Sequence, residues 1–327
     1  MWKISLQKLI NYEFWPFWIF YGMLTPFYLY YVLKTKAPAY FCNVNPLMRF
    51  GGFYGYSKFD LLEKIEPHWI PKTTLVHQKN VLDFEPNSYP FVAKPDVGER
   101  GKQVAVIRNR EEWSCYRGGI KTDVIIQDFV DFPLEFGLFY VRYPKEEKGK
   151  IIAITAKEFL TVKGDGKATL AQLIARDLRA SQQRKFLKKR FANHLDEVLK
   201  RNEELLLSEI GNHYRGTKFL DASHLHSGRL ENCVDEAVKN IPHFYYGRLD
   251  VKAQSIEDLQ NGNFVILEIN GANSEATQLY DPKYSVFEAW SIARQQLAVQ
   301  YRVAKQNKEN GFDYPPAKPL VKALFGC

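Results

Sequence analysis

The chain contains little sulfur, and its cysteines stand far apart. Of its 327 residues, only 4 are cysteine and 3 are methionine. The cysteines are Cys42, Cys115, Cys233 and Cys327. Their spacing fits neither a metal site nor the dense pattern of a disulfide framework. This scarcity argues against a disulfide-stabilised scaffold and gives no indication of a cysteine-ligated metal.

The chain also lacks internal repeats, low-complexity tracts and a recognisable nucleic-acid-binding module. Its 45 basic and 37 acidic residues give a formal net charge of +8 at pH 7. This charge indicates an acidic partner, either a nucleotide, an anionic lipid or a carboxylate-bearing substrate. We expect no nucleic acid partner, because no binding module accompanies the charge. The length allows a sizeable core divided into two or three lobes.

Polar residues two positions apart interrupt two apolar runs, YYGRLDVKA at 245–253 and FVILEINGANSEATQ at 264–278. These polar residues are Arg248, Asp250, Glu268 and Asn270. Residues two apart on a strand point to the same face. The segment Asn261-Gly262-Asn263 predicts a turn that pairs the two runs as a hairpin. One guanidinium, two carboxylates and an amide would then meet on one sheet face, where their oxygens suit Mg²⁺ bridged to nucleotide phosphates.

A glycine-containing loop lies upstream, between the strand-like halves of PFVAKPDVGERGKQVAVI. Lys94 ends the first half, and Gly98 and Gly101 bracket a loop that carries Arg100 and Lys102. Glycines allow a backbone to approach a ligand closely, and a lysine offers a point charge to phosphate. The loop is not a Walker A motif. Taken alone, it also fits an ordinary hairpin turn with solvated basic residues.

The next apolar run, DVIIQDFVDFPLEFGLFYV at 123–141, predicts a strand with a polar break. Gln127, Asp128 and Glu135 lie near its middle. Such a strand can offer backbone groups to an adenine ring and a carboxylate to ribose hydroxyls. The alternative is an ordinary core strand that leaves the surface at Asp131.

The order of these motifs resembles the ATP-grasp superfamily across residues 40 to 290. The matching parts are VAKPDVGERG, IIQDFVDFPLEF and GRLDVKA followed by ILEIN. A further segment, KEFLTVKGDGKATLAQLIARD, is similar to one in cyanophycin-synthetase-like and D-alanine–D-alanine-ligase-like members. The resemblance implies an α+β fold in which two α+β subdomains grip ATP between antiparallel sheets.

The resemblance also implies a role for each matching residue. The implied ATP-binding residues are Lys58, Lys94, Gly98, Arg100, Gly101, Lys102, Gln127, Asp128, Phe129, Val130, Glu135 and Lys157. The implied ligands of one or two Mg²⁺ ions are Asp250, Glu268 and Asn270. Arg248 and Lys94 would be catalytic, neutralising charge at the transferred phosphoryl group. Arg215 would bind the substrate carboxylate, while His224 and His226 are predicted to be loop or hydrogen-bonding histidines rather than a metal pair.

The implied activity is that of a carboxylate–amine ligase. A carboxylate would attack the γ-phosphate of ATP to form an acyl phosphate, and an amine would then displace phosphate. Neither the acid nor the amine is encoded in a motif. Three alternatives stay open: a kinase-like phosphotransferase, a non-catalytic nucleotide-binding regulator and a membrane scaffold that uses the domain for protein contacts.

The N-terminal segment at 14–33 is uncharged and half aromatic. Its length matches the roughly 20 residues that span a bilayer, but Pro16, Gly22 and Pro26 interrupt a helix. We therefore predict a peripheral or monotopic segment on the cytoplasmic face of the membrane, with an amphiphilic or lipid-linked substrate. The alternatives are a full span, a signal peptide cleaved near 37–39, and a helical hairpin packed on the protein itself or in an oligomer.

The resemblance and the composition divide the chain into five parts. The parts are an aromatic anchor at 1–36, an abbreviated pre-ATP-grasp domain at 37–75, a small subdomain at 76–135, a large subdomain at 136–305 and a tail at 306–327. The second part is too short for several βα units. Within it, AYFCNVNP predicts a strand and SKFDLLEKI a helix. A helix is also predicted at SVFEAWSIARQQLAVQYRVAKQN, with a tail from Pro315 onward.

Overall fold

Eleven strands in the described part of the chain form three antiparallel sheets. The computed structural model describes residues 11–98, 101–209, 211 and 216–326. The strands are β1 Thr73–Val76, β2 Phe91–Pro95, β3 Ala105–Ile107, β4 Val124–Asp128, β5 Leu134–Val141, β6 Lys150–Glu158, β7 Thr161–Lys163, β8 Glu204–Leu206, β9 Lys218–Asp221, β10 Tyr246–Ala253 and β11 Phe264–Asn270. The sheet orders are β1-β4-β2-β3, β11-β10-β5-β6-β9 and β7-β8.

Helices cover or connect these sheets. They are α1 Phe17–Gly22, α2 Thr25–Thr35, α3 Phe59–Leu62, α4 Arg110–Arg117, α5 Leu170–Arg176, α6 Leu178–Gln182, α7 Arg184–Arg190, α8 Gly228–Val238, α9 Ile256–Asn261, α10 Val286–Glu309 and α11 Ala317–Phe325. The prediction of an α+β fold with antiparallel sheets is confirmed.

The four-stranded sheet has its own core around one tryptophan. Trp113 on α4 is fully buried, and its indole N–H donates to the carbonyl of Phe84 at 2.9 Å. Val76, Phe91 and Ile126 from three strands pack into the same cluster. This core holds β2 in place and thereby fixes the backbone position of Lys94 near the end of the strand.

The five-stranded sheet is apolar on one face, whereas the other face, which we call the polar face, carries charged side chains beside a second apolar cluster. Leu138 of β5 and Val251 of β10 are fully buried and pack with Leu230 and Val234 of α8. Ser227 begins that helix by accepting a hydrogen bond from the Leu230 N–H at 3.0 Å;. Each fully buried aliphatic side chain contributes about 1.5–3 kcal/mol. The apolar face therefore anchors the sheet, and the charged groups lie on the opposite face beside Phe139 and Tyr246.

The run at 123–141 forms two strands in different sheets, so the prediction of a single strand is wrong. β4 belongs to the four-stranded sheet and β5 to the five-stranded sheet. Pro133 lies just before β5, and proline has no N–H to donate to a strand ladder. The polar break in the sequence is therefore the connection between the two sheets.

β10 and β11 pair as predicted, but a helix connects them instead of a tight turn. α9 begins after Ser255, whose hydroxyl accepts a hydrogen bond from the Asp258 N–H at 3.0 Å. It ends at Gly262, which has a φ of +84°, a conformation that glycine adopts without steric cost. The predicted turn residues thus terminate a helix.

The predicted strand at AYFCNVNP is a 3₁₀ helix, Tyr40–Val44. The buried Asn43 side chain donates to the carbonyl of Ala304 on α10 at 3.2 Å. Side-chain contacts of this kind hold the segment on the large subdomain in place of a strand ladder. The predicted helix at SKFDLLEKI is present as α3.

Both C-terminal elements are helical. α10 begins at the capping box of Ser285 and Glu288;, as the sequence predicts. The tail predicted from Pro315 instead contains α11, whose Leu320 is buried beside Ala39. Residues 317–325 therefore belong to the folded body.

The N-terminal helices pack their inner faces on the C-terminal helix. Phe20 and Leu24 are buried against Ala289 and Ala293 of α10, and Trp290 donates from its indole N–H to the Phe20 carbonyl at 3.0 Å. These contacts match the predicted alternative of a hairpin packed on the protein itself. No helix within the described ranges is both long enough and apolar enough to cross a membrane.

Candidate functional site

Two carboxylates lie directly opposite each other on neighbouring strands. The register of β10 and β11 pairs Asp250 with Glu268 and Arg248 with Asn270. Directly paired residues share a face, so all four lie on the polar face of the five-stranded sheet. Like charges in this arrangement repel each other, and burial increases the cost. Cations must therefore lie close to both carboxylates.

A row of alternating charges crosses the sheet on this face. The Lys157 ammonium lies 2.7 Å from Glu135 Oε1 and 3.1 Å from Asp250 Oδ1. The three side chains are only 4%, 8% and 11% exposed, respectively. Together with Arg248, they form a cluster that we call the ion strip. Its charges neutralise each other with little access for water.

Arg248 forms a two-pronged contact with Asp250 at one end of the ion strip. Its Nε lies 3.0 Å from Oδ1, and its Nη2 lies 3.1 Å from Oδ2. Gly137 on β5 gives the side chain room, because an added Cβ would lie 3.1 Å from Arg248 Cδ. The remaining nitrogen, Nη1, donates to the Glu275 carbonyl at 3.4 Å. The guanidinium is thereby fixed in position.

Lys58 reaches the second carboxylate from outside the sheet. Its ammonium lies 2.6 Å from Glu268 Oε1. The turn that carries Lys58 is held by Asp96, which accepts hydrogen bonds from the Phe59 N–H at 2.8 Å and from the Ser57 hydroxyl at 3.0 Å. A residue of the segment before β1 thus lies directly at the site.

Lys94 connects the two sheets. Its ammonium donates to Gln127 Oε1 at 3.0 Å and to the Leu267 carbonyl at 2.8 Å. The pairing of β10 with β11 skips Leu267 at a bulge, which leaves this carbonyl free of the strand ladder. Burial lowers the pKa of Lys94 to about 8, although the nearby Glu268 carboxylate acts in the opposite direction.

The acidic and basic side chains of the site are held in their ionised forms. Burial raises the pKa of Asp250, but Arg248 and Lys157 outweigh it, so the pKa lies well below its ordinary value. Burial likewise raises the pKa of Glu268, yet Lys58 and Lys94 bring it below the ordinary range. Burial acts to lower the pKa of Lys157, and the carboxylates of Asp250 and Glu135 raise it overall. The site therefore contains full charges at neutral pH.

Two supporting residues escaped the sequence analysis. Tyr56 donates from its hydroxyl to Asn270 Oδ1 at 3.3 Å, and Asn270 in turn donates to Asp250 Oδ2 at 3.2 Å. Asp96 positions Lys58, as described above. Asp96 stands two residues after Lys94 in the Lys-Pro-Asp motif, so this motif was the available signal. No pattern in the sequence links Tyr56 to the distant strand β11.

The residues after β4 lie between the two sheets. The side chain of Gln127 is buried toward Lys94, whereas that of Asp128 is exposed. The Val130 carbonyl accepts a hydrogen bond from the Lys252 ammonium at 2.9 Å, and this ammonium lies 5.6 Å from the centre of the Phe129 ring. The predicted adenine segment is thus tied to the large sheet by one lysine.

The glycine-containing loop connects β2 and β3 at the edge of the small sheet. Gly101 has a φ of +66°, which favours glycine, and the Lys102 side chain is exposed. Gly98 also lies in this loop and is partly buried. Two predicted residues, Arg100 and Arg215, lie outside the described residues.

The structure brings eight of the predicted residues together. They are Lys58, Lys94, Glu135, Lys157, Arg248, Asp250, Glu268 and Asn270. Glu135, implied for a ribose, is paired with Lys157. Among the described residues, no group of three or more His, Cys, Asp and Glu side chains could hold a metal ion; the candidate set here has two carboxylates and one amide. His226 lies 3.0 Å from Glu231, in keeping with its prediction as a hydrogen-bonding histidine.

Comparisons with known proteins find similarity in structure only. No family model and no curated protein sequence matches the chain. It is similar to a D-alanine–D-alanine ligase from Bacillus anthracis at 13% identity and a TM-score of 0.44, covering 78% of this chain and 69% of that one. It is similar to an L-amino acid ligase from Bacillus licheniformis at 14% identity and a TM-score of 0.40, covering 74% of this chain and 47% of that one. It is also similar to a bifunctional glutathione synthetase from Pasteurella multocida at 14% identity and a TM-score of 0.34, covering 63% of this chain and 31% of that one.

The chain spans less than a third of the glutathione synthetase and about half of the L-amino acid ligase. The roles of individual residues therefore depend on the geometry of this chain.

Proposed function

We propose that the protein is an ATP- and Mg²⁺-dependent ligase that joins a carboxylate to an amine through an acyl phosphate. The observation that carries this proposal is the pair of the buried Asp250 and the partly buried Glu268, which faces the cations Lys58, Lys94, Lys157 and Arg248. Buried ion pairs contribute little to net stability. A dense set of them between two sheets is better explained by a chemical use.

In this proposal, ATP lies between the four-stranded and five-stranded sheets. Lys94 and Lys157 bind its phosphates, because both ammoniums already contact oxygen acceptors at this interface;. The loop between β2 and β3 covers the γ-phosphate, and the segment after β4 lies beside adenine. Glu135 accepts hydrogen bonds from the ribose hydroxyls. Lys58 adds positive charge near the phosphates of ATP. Each cation would exchange a protein carboxylate or carbonyl for a phosphate oxygen.

The residues at the proposed metal site suit Mg²⁺. Asp250, Glu268 and Asn270 offer oxygen atoms on one sheet face, and both carboxylates are ionised. Oxygen ligands and shared phosphates are typical of Mg²⁺ sites. When bound, one or two Mg²⁺ ions would supply positive charge between these carboxylates and the nucleotide phosphates.

The chemistry has two steps. A carboxylate oxygen of the substrate attacks the γ-phosphorus, the bond to the departing ADP oxygen breaks, and an acyl phosphate forms. The neutral amine then attacks the acyl carbon, phosphate leaves with the carbon–oxygen bond electrons, and the amine loses a proton. Arg248 and Lys94 neutralise the negative charge that develops in the first step. Closure of the glycine-containing loop protects the acyl phosphate from water.

We propose further that this reaction takes place at an anionic membrane surface, on an amphiphilic substrate. The outer faces of α1 and α2 expose large apolar side chains, with Trp18 at 72% and Leu33 at 78%. Phe287, 74% exposed, extends this face beside Trp290. Lys34 and Arg294 lie over aromatic rings of α2. An apolar face with basic neighbours suits the surface of an anionic bilayer.

Turnover with mixed substrates tests the ligase proposal. Purified protein would be incubated with ATP, Mg²⁺ and pools of carboxylates and amines, with and without a membrane extract, while ADP and phosphate are measured. We expect ADP release that requires both an acid and an amine and is lost in Glu268→Ala. Glu147→Ala, at an exposed carboxylate, should keep wild-type turnover. A stably phosphorylated product formed without an amine would contradict the ligase and favour a kinase.

Vesicle flotation tests the membrane proposal separately. Vesicles of phosphatidylglycerol and phosphatidylethanolamine should carry the wild-type protein to the top of a density gradient. Leu33→Glu should float much less, whereas Leu82→Glu should float like wild type, because Leu82 is 63% exposed on the small subdomain. Equal flotation of all three proteins, or concentration-dependent dimerisation lost in Leu33→Glu, would overturn the membrane assignment.

A further inference from the structure

A cleft of about 350 Å³ lies beneath the N-terminal segment, outside the ion strip. Its wall is largely aromatic. The aromatic residues are Tyr12, Phe14, Trp15, Phe20, Tyr21 and Tyr280. Arg179 and Gln182 of α6 also line the cleft, together with Glu13. Its volume is at the lower end of the roughly 300–1,000 Å³ typical of small-molecule sites.

The cleft borders the sheet face that carries the ion strip. The register of β6 and β9 pairs Lys157 with Phe219, so both residues point to the same face. The ring of Phe219 lies 6.5 Å from that of Tyr280 in the cleft wall. One row along, the Thr277 hydroxyl contacts the Thr155 hydroxyl at 3.2 Å. The turn that carries Tyr280 therefore lies on the polar face, against Thr155 and Phe219, which neighbour Lys157 on that face.

A second connection runs from the cleft to Arg248. The Tyr280 hydroxyl donates to Glu275 Oε2 at 3.0 Å, and Tyr21 lies 2.9 Å from the same hydroxyl. The backbone carbonyl of Glu275 accepts a hydrogen bond from Arg248 at 3.4 Å. One residue thus contacts both the wall of the cleft and the guanidinium of the proposed reaction centre.

Specific polar contacts fix the N-terminal wall on the large subdomain. The Tyr12 hydroxyl donates to the Leu279 carbonyl at 2.6 Å. Glu13 and Arg179 form an ion pair in which both side chains are mostly buried. Burial raises the pKa of Glu13, and the Arg179 guanidinium opposes this shift only in part. Residues 12–21 are therefore a preformed wall of the cleft and do not merely link an anchor to the fold.

We propose that this aromatic cleft binds the apolar body of one of the two organic substrates, an amphiphile with an aromatic or short acyl group. The proposal rests on the ligase function given above. Aromatic walls favour such a group through burial and ring contacts. Glu13 and Arg179 provide polar partners at the cleft, and the reacting end of the substrate would point toward Lys157 and Arg248. The N-terminal segment thereby shapes the substrate site.

Probe binding to a filled cleft tests the inference. N-phenyl-1-naphthylamine is an apolar aromatic amine that becomes fluorescent when buried, and we expect the wild-type protein to bind it saturably. Gln182→Trp, which places an indole in the cleft from an exposed position, should weaken binding by at least about tenfold, roughly 1.4 kcal/mol. Gln183→Trp, from the neighbouring lining residue, should have the same effect and guards against misfolding of one variant.

Two matched controls separate the cleft from other surfaces. Gln295→Trp makes the same substitution at an exposed position of α10 outside the cleft and should leave probe binding unchanged. Leu33→Glu alters the outer face of α2 and should also leave it unchanged. Wild-type affinity in both Gln182→Trp and Gln183→Trp would overturn the inference. So would a loss confined to Leu33→Glu, because the probe would then bind the outer face.

Turnover separates this inference from the proposed function. In the two-substrate assay, Gln182→Trp should raise the KM of one organic substrate at least about tenfold and leave the KM of ATP unchanged. Normal turnover with unchanged KM values for both organic substrates would reject the cleft and keep the ligase. Failure of wild-type protein to bind ATP would reject the ligase, while the probe titration would still report whether the cleft binds an apolar amine.

Discussion

Asp250 and Glu268 face each other across β10 and β11, and each is paired with a different cation. Asp250 contacts Arg248 and Lys157, whereas Glu268 contacts Lys58. The cations come from three separate parts of the chain. The arrangement is therefore a product of the tertiary fold, and it concentrates opposite charges where the two sheets meet.

Lys94→Ala should weaken ATP binding by at least about tenfold, because it removes a buried cation from the proposed phosphate site. Calorimetric titration with ATP in the presence of Mg²⁺ measures the effect. Lys121→Ala, at an exposed lysine of the same subdomain, serves as the matched control and should bind ATP normally. Unchanged affinity in Lys94→Ala would remove Lys94 from the proposed phosphate site.

Gly137→Ala should lower turnover more than ATP binding. The added methyl group would lie 3.1 Å from Arg248 Cδ, so the Arg248 side chain must move by a few tenths of an ångström, and we expect this movement to disturb its two-pronged contact with Asp250. Positioning errors of this kind reduce rates strongly. Gly228→Ala is the control, because its Cβ would meet no atom within 4 Å. Equal kinetics for wild type and Gly137→Ala would mean that the position of Arg248 is not important for the reaction.

Asn45→Ala should destabilise the protein by about 2–4 kcal/mol. The buried Asn45 side chain donates to the carbonyls of Gly51 and Tyr246 and accepts from the N–H groups of Tyr245 and Tyr246. Its loss leaves several buried backbone groups without partners. Denaturant unfolding would measure the change, with the exposed Asn240→Ala expected within about 0.5 kcal/mol of wild type. A similarly small effect of Asn45→Ala would mean that these hydrogen bonds do not hold the segment around Asn45 on β10.

Asp221 should stabilise the protein in a pH-dependent way. Burial acts to raise its pKa, but hydrogen bonds from Lys283, Ser223 and Tyr284 lower the pKa well below its ordinary value. Its contribution to the free energy of unfolding is therefore complete above the pKa of an unfolded aspartate, about 3.9, and is lost as the pH falls below that value. Asp221→Asn should be about 1–3 kcal/mol less stable at pH 7.

Denaturant unfolding between pH 7 and pH 2 checks this dependence. The stability difference between wild type and Asp221→Asn should narrow below pH 4, while Asp131→Asn, at an exposed carboxylate, should stay close to wild type throughout. A difference that stays constant to pH 2 would mean that the charge of Asp221 is not the source of the stabilisation.

Local patterns predicted the strand pair and its charged face. Alternation in YYGRLDVKA and ILEIN places Arg248, Asp250, Glu268 and Asn270 on one face, and the register agrees. The same reasoning failed at 123–141, because an apolar run does not reveal that its two halves enter different sheets. It also failed at 261–263, where the glycine ends a helix.

Contacts between distant segments could not be predicted from the pattern. Tyr56 and Asn270 are 214 positions apart, and no periodicity connects them. The pairing of Glu135 with Lys157 was likewise hidden, since it depends on the register of β5 and β6. The cleft beneath residues 12–21 arises only when the N-terminal segment packs on α10 and α6.

ATP titration of wild type and Glu268→Gln, each with and without Mg²⁺, tests whether the paired carboxylates bind Mg²⁺ together with ATP. The substitution keeps the size of the side chain and removes the charge that faces Asp250. Thermal unfolding of both proteins confirms that they are folded. We expect Mg²⁺ to strengthen ATP binding to the wild type and to have little effect on ATP binding to Glu268→Gln. The same Mg²⁺ dependence in both proteins, or no ATP binding by the wild type, would contradict this expectation.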